Sequence, residues 1–170
     1  MNWKRWLELD AHLSAQLRVA ERPGFLRSCA AVLAHSGDSW FWWPGLAVVW
    51  LLGDAFWRPW ALRIFVCILI LAPVVLAIKF AIRRSRPSGE WGAIYRSTDP
   101  HSFPSGHAAR TILIAILVSA MGPAWLAGVL WVWAPLVALA RVAMGLHYLS
   151  DILGGELLGG LAGVVALQIR

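Results

Sequence analysis

Long apolar stretches run through most of this chain and leave few architectures open to it. They cover residues 40–53, 60–78, 111–121, 124–140 and 157–167. A helix that spans a bilayer needs about 20 mostly apolar residues, and several of these stretches reach that length once their polar ends are included. A soluble protein of 170 residues could not bury so many helices on all sides. The stretches therefore predict an all-α, polytopic membrane helix bundle.

The composition agrees with this prediction, since 59% of the residues are hydrophobic and only 14% are charged. Aromatic rings favour the headgroup layer, and six tryptophans lie near predicted helix ends, at Trp40, Trp42, Trp43, Trp57, Trp60 and Trp125. The net charge of +6 does not indicate a nucleic-acid partner, because the basic residues are spread over helix ends and polar clusters. We expect them to face anionic headgroups or an anionic substrate.

Residues 1–22 differ in character from the rest of the chain. Apolar residues recur there at helical spacing, with charged residues between them, at Trp3, Trp6, Leu9, Leu13 and Leu17. This pattern is typical of a helix in the membrane interface, and also of an amphipathic helix packed on a bundle. Pro23-Gly24 then breaks the chain. We predict an N-terminal interfacial helix over residues 1–22 and a transmembrane domain over residues 23–170.

The number of membrane crossings depends on residues 24–36, which are few for one crossing. Clearer helices are predicted at residues 39–54, 60–82, 105–122, 124–143 and 146–168. The longest polar segment, residues 83–104, lies between the second and the third of these. A loop of that length in so small a protein is usually functional.

Three polar clusters interrupt the apolar sequence, and ionisable residues at membrane depth are functional-site candidates. The clusters are Lys79 with Arg86-Pro87, then Pro104-Ser105-Gly106-His107, then Arg141 with His147 and Asp151. The first closes one predicted helix and the second opens the next, so both lie on one face of the membrane. The chain then crosses away and returns, which brings the third cluster to the same face. Clusters spread over more than 70 residues are therefore expected to form one site.

The second and third clusters carry residues suited to acid–base and nucleophilic chemistry. Ser105 is a favoured helix cap and Gly106 lets a ligand approach the backbone, so this helix start can bind an anion. His107 stands at its mouth and can give a proton to a departing oxygen. His147 and Asp151 are four residues apart and share a helix face. The carboxylate can orient the imidazole as a nucleophile, or the pair can be a structural hydrogen bond at a helix start.

Fixed positive charge accompanies these groups at Lys79, Arg86 and Arg141. An arginine fork suits phosphate oxygens, and phosphoryl transfer depends mainly on positioning and on neutralising the charge of those oxygens. Arg110, three residues after His107, can face the same pocket. For three further cations, Arg83, Arg84 and Arg96, we expect helix-end side chains that reach the interface.

In order and spacing, the clusters resemble the three-part signature of the type 2 phosphatidic acid phosphatase superfamily. Six residues separate Lys79 from Arg86-Pro87, five separate Arg141 from His147, and three separate His147 from Asp151. The superfamily includes membrane lipid phosphatases and vanadium-dependent haloperoxidases, and the resemblance covers the chain from about residue 40 to its end. One departure is Ala140, where the family usually has a serine that adds a hydrogen bond to the phosphate.

The resemblance implies a role for each residue of the signature. His147 would attack phosphorus and form a phosphohistidine, with Asp151 orienting it. His107 would protonate the leaving oxygen and then activate water. The phosphate would be held by Lys79, Arg86, Ser105, Gly106 and Arg141. Family members of this kind use no metal or other cofactor and fold as a bundle of about six membrane helices, which favours counting residues 24–36 as a crossing.

We predict an integral-membrane lipid-phosphate phosphohydrolase that releases inorganic phosphate. A polyprenyl diphosphate and a phosphatidylglycerol phosphate both suit it. The loop 88–103 is expected to set the choice, with Glu90, Tyr95, Arg96, Asp99 and His101. A non-catalytic protein that binds or transports lipid phosphates is the alternative. A vanadate haloperoxidase is disfavoured, because those enzymes are large soluble proteins. The expected partners are the lipid bilayer and a lipid substrate, and the sequence leaves the oligomeric state open.

The expected location is the plasma (inner) membrane. With six crossings, the N-terminal cations share a side with Arg58 and Arg170; they are Lys4, Arg5, Arg18 and Arg22. Cytoplasmic loops are enriched in such residues, which predicts an active site on the extracytoplasmic face. With five crossings the N-terminal segment moves to the active-site face, and this argument weakens.

Overall fold

Seven helices make up the fold, in a computed structural model that describes residues 2–91, 95 and 98–169. They are α1 (Trp3–Gln16), α2 (Phe25–Ser36), α3 (Ser39–Leu52), α4 (Trp57–Ile82), α5 (Gly106–Met121), α6 (Ala124–Ala143) and α7 (Leu149–Gln168). Within these described ranges there is no β-strand, only an isolated bridge between Ser85 and His101. The predicted all-α helix bundle is confirmed.

Three helices, α4, α6 and α7, are long and apolar enough to cross a membrane, and α3 and α5 are apolar but shorter. Large apolar side chains cover their outer faces, among them Ile70 on α4, Leu139 on α6 and Leu157 on α7, each at least half exposed. Water would oppose so much exposed apolar surface, whereas lipid chains accept it. The exposed surface is thus that of an integral membrane protein.

Helix α5 lies at the centre and packs against α4, α6 and α7. Its side chains Leu113, Ile114 and Leu117 are fully buried. Because α5 carries the second polar cluster at its start, this central position allows the clusters on α4, α6 and α7 to reach it.

A glycine stripe on α7 allows that helix to approach α5 closely. A Cβ atom at Gly155 or Gly159 would overlap the carbonyl oxygen of Ser105 or of Ala109, and one at Gly163 would lie 3.0 Å from Ile116 Cγ2. Small residues at a spacing of four are a common basis for close contact between membrane helices. The stripe brings the start of α7 beside the start of α5, so the second and third clusters become neighbours.

Helices α2 and α3 together follow the path of one broken crossing. The chain before α2 lies at the end of the bundle that carries the polar clusters, where Ala20 N donates to Ala143 O over 3.0 Å. With 12 residues, α2 is about 18 Å long, and it ends inside the bundle, where Trp133 Nε1 donates to Ser36 Oγ over 2.8 Å. After a corner at Gly37 and Asp38, α3 continues to the opposite end.

The broken crossing determines at which end of the bundle the N-terminal cations lie. Arg18 donates to Ser88 O over 2.9 Å, and Arg27 forms an ion pair of 2.9 Å with Glu90. The N-terminal cations therefore lie at the same end as the three clusters, whereas Arg58 and Arg63 lie at the opposite end, near the start of α4. The prediction of an extracytoplasmic site assumed the opposite arrangement, so its premise was wrong.

Helix α1 is docked on the bundle by polar contacts and keeps an apolar face exposed. Ser150 N donates to Asp10 Oδ1 over 3.0 Å, and Leu149 N donates to Ser14 Oγ over 2.9 Å. Trp3 and Trp6 remain 72% and 48% exposed. The amphipathic character predicted for residues 1–22 is present, and the exposed tryptophans suit insertion at a membrane interface.

Candidate active site

The three polar clusters meet around a cavity of about 180 Å³. Its polar lining consists of Lys79, Asp99, Gly106, His107, Arg110, Arg141 and His147, and its apolar lining comes from one side of α4. Residues far apart in the sequence thus reach one volume, in the arrangement that the crossing pattern predicted.

Lys79 and Arg86 of the first cluster converge on one carboxylate. Lys79, in the last turn of α4, places Nζ 2.7 Å from Asp99 Oδ2, and Arg86 Nη2 lies 2.7 Å from the same oxygen. Both cations are buried, so desolvation would be costly without an anionic partner. Asp99 supplies negative charge beside two side chains that were predicted to hold phosphate, a role that the sequence did not indicate.

His147 lies in the turn just before α7, and not within the helix as predicted. Its Nε2 is 3.2 Å from Arg86 Nη1, and its Nδ1 is 3.4 Å from Asp151 Oδ2. Burial is the largest cause that holds the pKa of His147 well below its usual range, and the positive charges of Arg86 and Arg141 lower it further. The imidazole is therefore neutral near pH 7 and keeps a lone pair.

Asp151 is fully buried in the first turn of α7 and is held at both oxygens. Tyr148 N donates to Oδ2 over 2.9 Å, and Arg84 Nη1 donates to Oδ1 over 2.7 Å. Arg84 also forms an ion pair of 2.6 Å with Asp10. We predicted an interfacial helix-end side chain for Arg84. That prediction was wrong, because burial of the Asp151 carboxylate recruits a charged donor.

The second cluster forms the start of α5. Ser105 is the N-cap, and its Oγ accepts from Ala108 N over 3.5 Å. Its own N–H donates to Asp151 O over 2.9 Å, which links the starts of α5 and α7 directly. Gly145, with a φ of +69°, makes the tight turn that brings the chain from α6 to His147.

Arg141 lies in the last turn of α6, with its side chain buried against Tyr95. The guanidinium carbon lies 4.9 Å from the centre of that ring, and Nη1 is 3.4 Å from its hydroxyl oxygen. The Nε–H of Arg141 is buried and has no hydrogen-bond partner among the described residues. A buried guanidinium with an unused donor beside the cavity is suited to an anionic ligand.

His107 lines the same cavity and contacts a residue outside the clusters. Its Nε2 is 2.5 Å from Asp38 Oδ1, at the corner between α2 and α3. The other oxygen of Asp38 is 2.8 Å from His35 Nδ1. No role was predicted for Asp38 from the sequence, although an aspartate between apolar stretches was a usable signal.

Two of the three secondary candidates lie near the cavity, and one does not. Arg110 lines it and donates to the carbonyl oxygen of Gly37. Tyr95 lies beside both Arg86 and Arg141. Glu90 instead pairs with Arg27 and is 67% exposed at its side chain. Arg96, for which an interfacial side chain was predicted, lies outside the described residues.

The arrangement combines a neutral imidazole, a second imidazole that lines the same cavity, three buried cations and a helix start. Among the residues that the structure describes, no group of three or more histidine, cysteine or acidic side chains could hold a metal ion. The cationic groups and the free N–H groups of α5 can accept an anion with several oxygens, such as phosphate.

Known proteins with related sequences include phosphatases of prenyl-linked phosphates. The chain is 31% identical over 159 residues to the decaprenylphosphoryl-5-phosphoribose phosphatase of Mycobacterium tuberculosis, covering 93% of this chain and 88% of that protein. It is 28% identical to the undecaprenyl-diphosphatase of Sulfolobus acidocaldarius, with coverage of 85% and 71%.

The fold and the family profile agree with these relatives. The transmembrane PAP2-type phosphatidylglycerolphosphate phosphatase from Bacillus subtilis superposes with a TM-score of 0.77 at 23% identity, covering 98% of this chain and 88% of that one. The profile of the PAP2 superfamily matches residues 60–170. With more than half of its length matched, this chain belongs to the PAP2 superfamily and is a membrane lipid phosphatase.

Proposed function

We propose that the enzyme releases inorganic phosphate from a lipid phosphate through a phosphohistidine on His147. The observation that carries this proposal is the state of His147, a neutral imidazole with Nε2 beside Arg86 at the cavity. Only an unprotonated nitrogen can attack phosphorus, and the neighbouring cations keep it so while attracting the anionic substrate.

In the first step, Nε2 of His147 forms a bond to phosphorus as the bond from phosphorus to the lipid oxygen breaks. His107, which lines the same cavity, gives a proton to that oxygen, so the lipid leaves as an alcohol or a shorter phosphate. Asp151 compensates the positive charge that develops on the phosphorylated imidazole. Lys79, Arg86 and Arg141 neutralise the phosphate oxygens.

In the second step, His107, now neutral, takes a proton from water as the water oxygen attacks phosphorus. The bond between phosphorus and Nε2 breaks, and inorganic phosphate is released with His147 neutral again. The same imidazole thus donates a proton in one step and accepts one in the next, as microscopic reversibility of acid–base roles suggests.

Lipid access to this cavity is supported by α4. Its residues Ile68, Leu71, Ala72, Val75 and Leu76 form the apolar wall of the cavity, and Ala72 and Leu76 are exposed on the membrane side. A substrate can therefore keep its chain in lipid while its phosphate reaches the cations.

A groove between α2, α3 and the start of α4 suits a long lipid chain. It has a volume of about 760 Å³ and an apolar lining that includes Val32, Phe41, Leu46 and Trp60. His35 forms part of the lining and contacts Asp38, which in turn contacts His107. Together with the relatives named for decaprenyl and undecaprenyl substrates, this favours a phosphate carried on a polyprenyl lipid.

The distribution of basic residues supports a cytoplasmic active site. Outside the cavity, the end of the bundle that carries the site has Lys4, Arg5, Arg18, Arg22, Arg27 and Arg83, whereas the opposite end has Arg58 and Arg63. Positive residues in short connections favour the cytoplasm. Fusion of alkaline phosphatase after residue 169 tests this. An active fusion shows that the opposite end is extracytoplasmic and supports a cytoplasmic site. An inactive fusion would instead indicate that the site lies on the extracytoplasmic face.

The experiment that tests the activity is phosphate release in detergent with chelator present. The panel contains decaprenylphosphoryl-5-phosphoribose, undecaprenyl diphosphate and phosphatidylglycerol phosphate. We expect turnover of a polyprenyl substrate, a loss on the order of 10⁴-fold in His147→Ala, and little change in His12→Ala, a histidine exposed on α1. Tight binding of these lipids by folded protein without turnover would instead indicate a binding or transport protein.

The lipid-chain groove has its own test. A Cβ at Gly45, which lines the groove, meets nothing within 4 Å, so Gly45→Trp is expected to fill the groove without disturbing the helix. The KM for a polyprenyl substrate should then rise several-fold, while that for a short-chain phosphate stays unchanged. Gly128→Trp on α6 is the matched control, because that position is equally open and lies outside the groove.

A further inference from the structure

Asp38 occupies a position that none of the three clusters accounts for. It lies at the corner between α2 and α3, 69 residues before His107, and its carboxylate touches two imidazoles. Oδ1 is 2.5 Å from His107 Nε2 and Oδ2 is 2.8 Å from His35 Nδ1. A carboxylate inside an apolar bundle is costly unless it serves its neighbours.

The corner that carries Asp38 is fixed from several sides. Ser36 Oγ donates to Leu33 O over 2.7 Å, Trp42 Nε1 donates to Ser36 O over 3.1 Å, and Arg110 donates to the Gly37 carbonyl. A Cβ at Gly37 would lie 2.9 Å from Val137 Cγ1 and 3.2 Å from His107 Cδ2, so only glycine allows the corner to approach the ring this closely.

These contacts determine which nitrogen of His107 is free. The Cδ2 edge of the ring faces Gly37, and Nε2 is engaged by Asp38. Nδ1 lies on the opposite edge, and no described residue forms a hydrogen bond with it. Because His107 lines the cavity, Nδ1 is the nitrogen available to a substrate.

We propose that Asp38 is a positioning residue for His107, fixing Nδ1 as the atom that exchanges protons with the leaving group and with water. This inference rests on the proposed function, in which His107 is the acid and base. The cavity then has two carboxylate–imidazole pairs, Asp38 with His107 and Asp151 with His147.

The physical role of Asp38 has two parts. Its carboxylate holds a proton on Nε2, which makes Nδ1 of the neutral ring an acceptor for the proton of water. When Nδ1 is also protonated, the same carboxylate compensates the imidazolium charge against Arg110 and Arg141, which lie on the same cavity.

A double-mutant cycle separates this role from a structural one. We expect Asp38→Asn to lower kcat by about 100-fold, at the low end of acid–base contributions, with KM changed less than about 2-fold. Asp38→Glu should recover part of the loss. In a His107→Ala background, Asp38→Asn should cost less than about 3-fold more, because its effect passes through the missing ring.

Other results would overturn the proposal. A kcat for Asp38→Asn within about 3-fold of wild type would do so, and so would an equal loss with and without His107, which indicates an independent role in folding. Asp54→Asn is the control, because it removes an exposed carboxylate at the opposite end of the bundle and should leave kcat nearly unchanged.

The test remains informative if the proposed reaction itself is wrong. Nitrogen-15 spectra of labelled histidine should show His107 with its proton on Nε2 in the wild type and a mixture of tautomers in Asp38→Asn. If His147→Ala keeps full activity, the reaction proposal fails, while these spectra still decide whether Asp38 positions His107.

Discussion

The Arg84 guanidinium donates to the Asp151 carboxylate over 2.7 Å and joins the N-terminal helix to the candidate active site. On its other side the same guanidinium pairs with Asp10 of α1 over 2.6 Å, and its carbon lies 4.0 Å above the Tyr148 ring. Asp151 in turn lies beside His147. One arginine outside the family signature thus supports the carboxylate that is proposed to orient the nucleophile.

Removal of this support has a predicted cost in both stability and rate. Arg84→Ala leaves the buried Asp151 without a charged partner, so we expect destabilisation of about 3 kcal/mol and a decrease in kcat of about 10-fold. Arg83→Ala is the control, since Arg83 is exposed. Thermal unfolding in detergent and steady-state kinetics measure the two effects. Equal behaviour of the two variants would contradict a role for Arg84 at the site.

Asp99 is predicted to compete with phosphate for Lys79 and Arg86. In Asp99→Asn the competing charge is removed while the backbone contact from Arg86 Nε to Asp99 O remains. Inorganic phosphate should then inhibit about 3- to 10-fold more strongly, which corresponds to at most about 1.4 kcal/mol. Glu90→Gln, which removes a carboxylate outside the cavity, should leave inhibition unchanged. Weaker inhibition in Asp99→Asn would show that this carboxylate supports the phosphate site instead.

The sequence predicted those parts of the molecule that depend on local spacing. The helix bounds follow from the apolar pattern, and Lys79, His107, Arg141 and His147 reach one cavity because alternate crossings return to one face. The start of α7 was placed three residues early, since a turn through Gly145 precedes the helix.

Contacts between distant segments could not be predicted in the same way. Asp38 meets His107 across 69 residues, and Arg84 meets Asp151 across 67. Neither pair has a fixed spacing, and both depend on how α2 bends and how closely α7 packs on α5. The same is true of the N-terminal cations, whose side of the membrane follows from the broken crossing and not from their own sequence.

The low pKa of His147 predicts how stability depends on pH. Burial and the neighbouring arginines keep this imidazole neutral in the folded protein, while in the unfolded chain it takes up a proton near pH 6.5. The unfolded state therefore binds more protons below that pH, so this contribution to stability is complete above about pH 6.5 and decreases as the pH falls. Unfolding in detergent from pH 8 to pH 5 measures the slope, which should be smaller in His147→Asn. An unchanged slope would contradict a neutral buried His147.

The glycine stripe of α7 offers a sharp test of how the site is assembled. A Cβ at Gly159 would overlap the Ala109 carbonyl oxygen, which belongs to the backbone of α5 and cannot rotate away. We expect Gly159→Ala to push α7 from α5, to destabilise the protein by about 1–3 kcal/mol, and to lower kcat because Ser105 and Asp151 move apart. Gly160→Ala is the matched control, since a Cβ there meets nothing within 4 Å and alanine favours the helix. If Gly159→Ala unfolds at the same temperature as Gly160→Ala and keeps full activity, close contact between the two helices is not what brings the second and third clusters together.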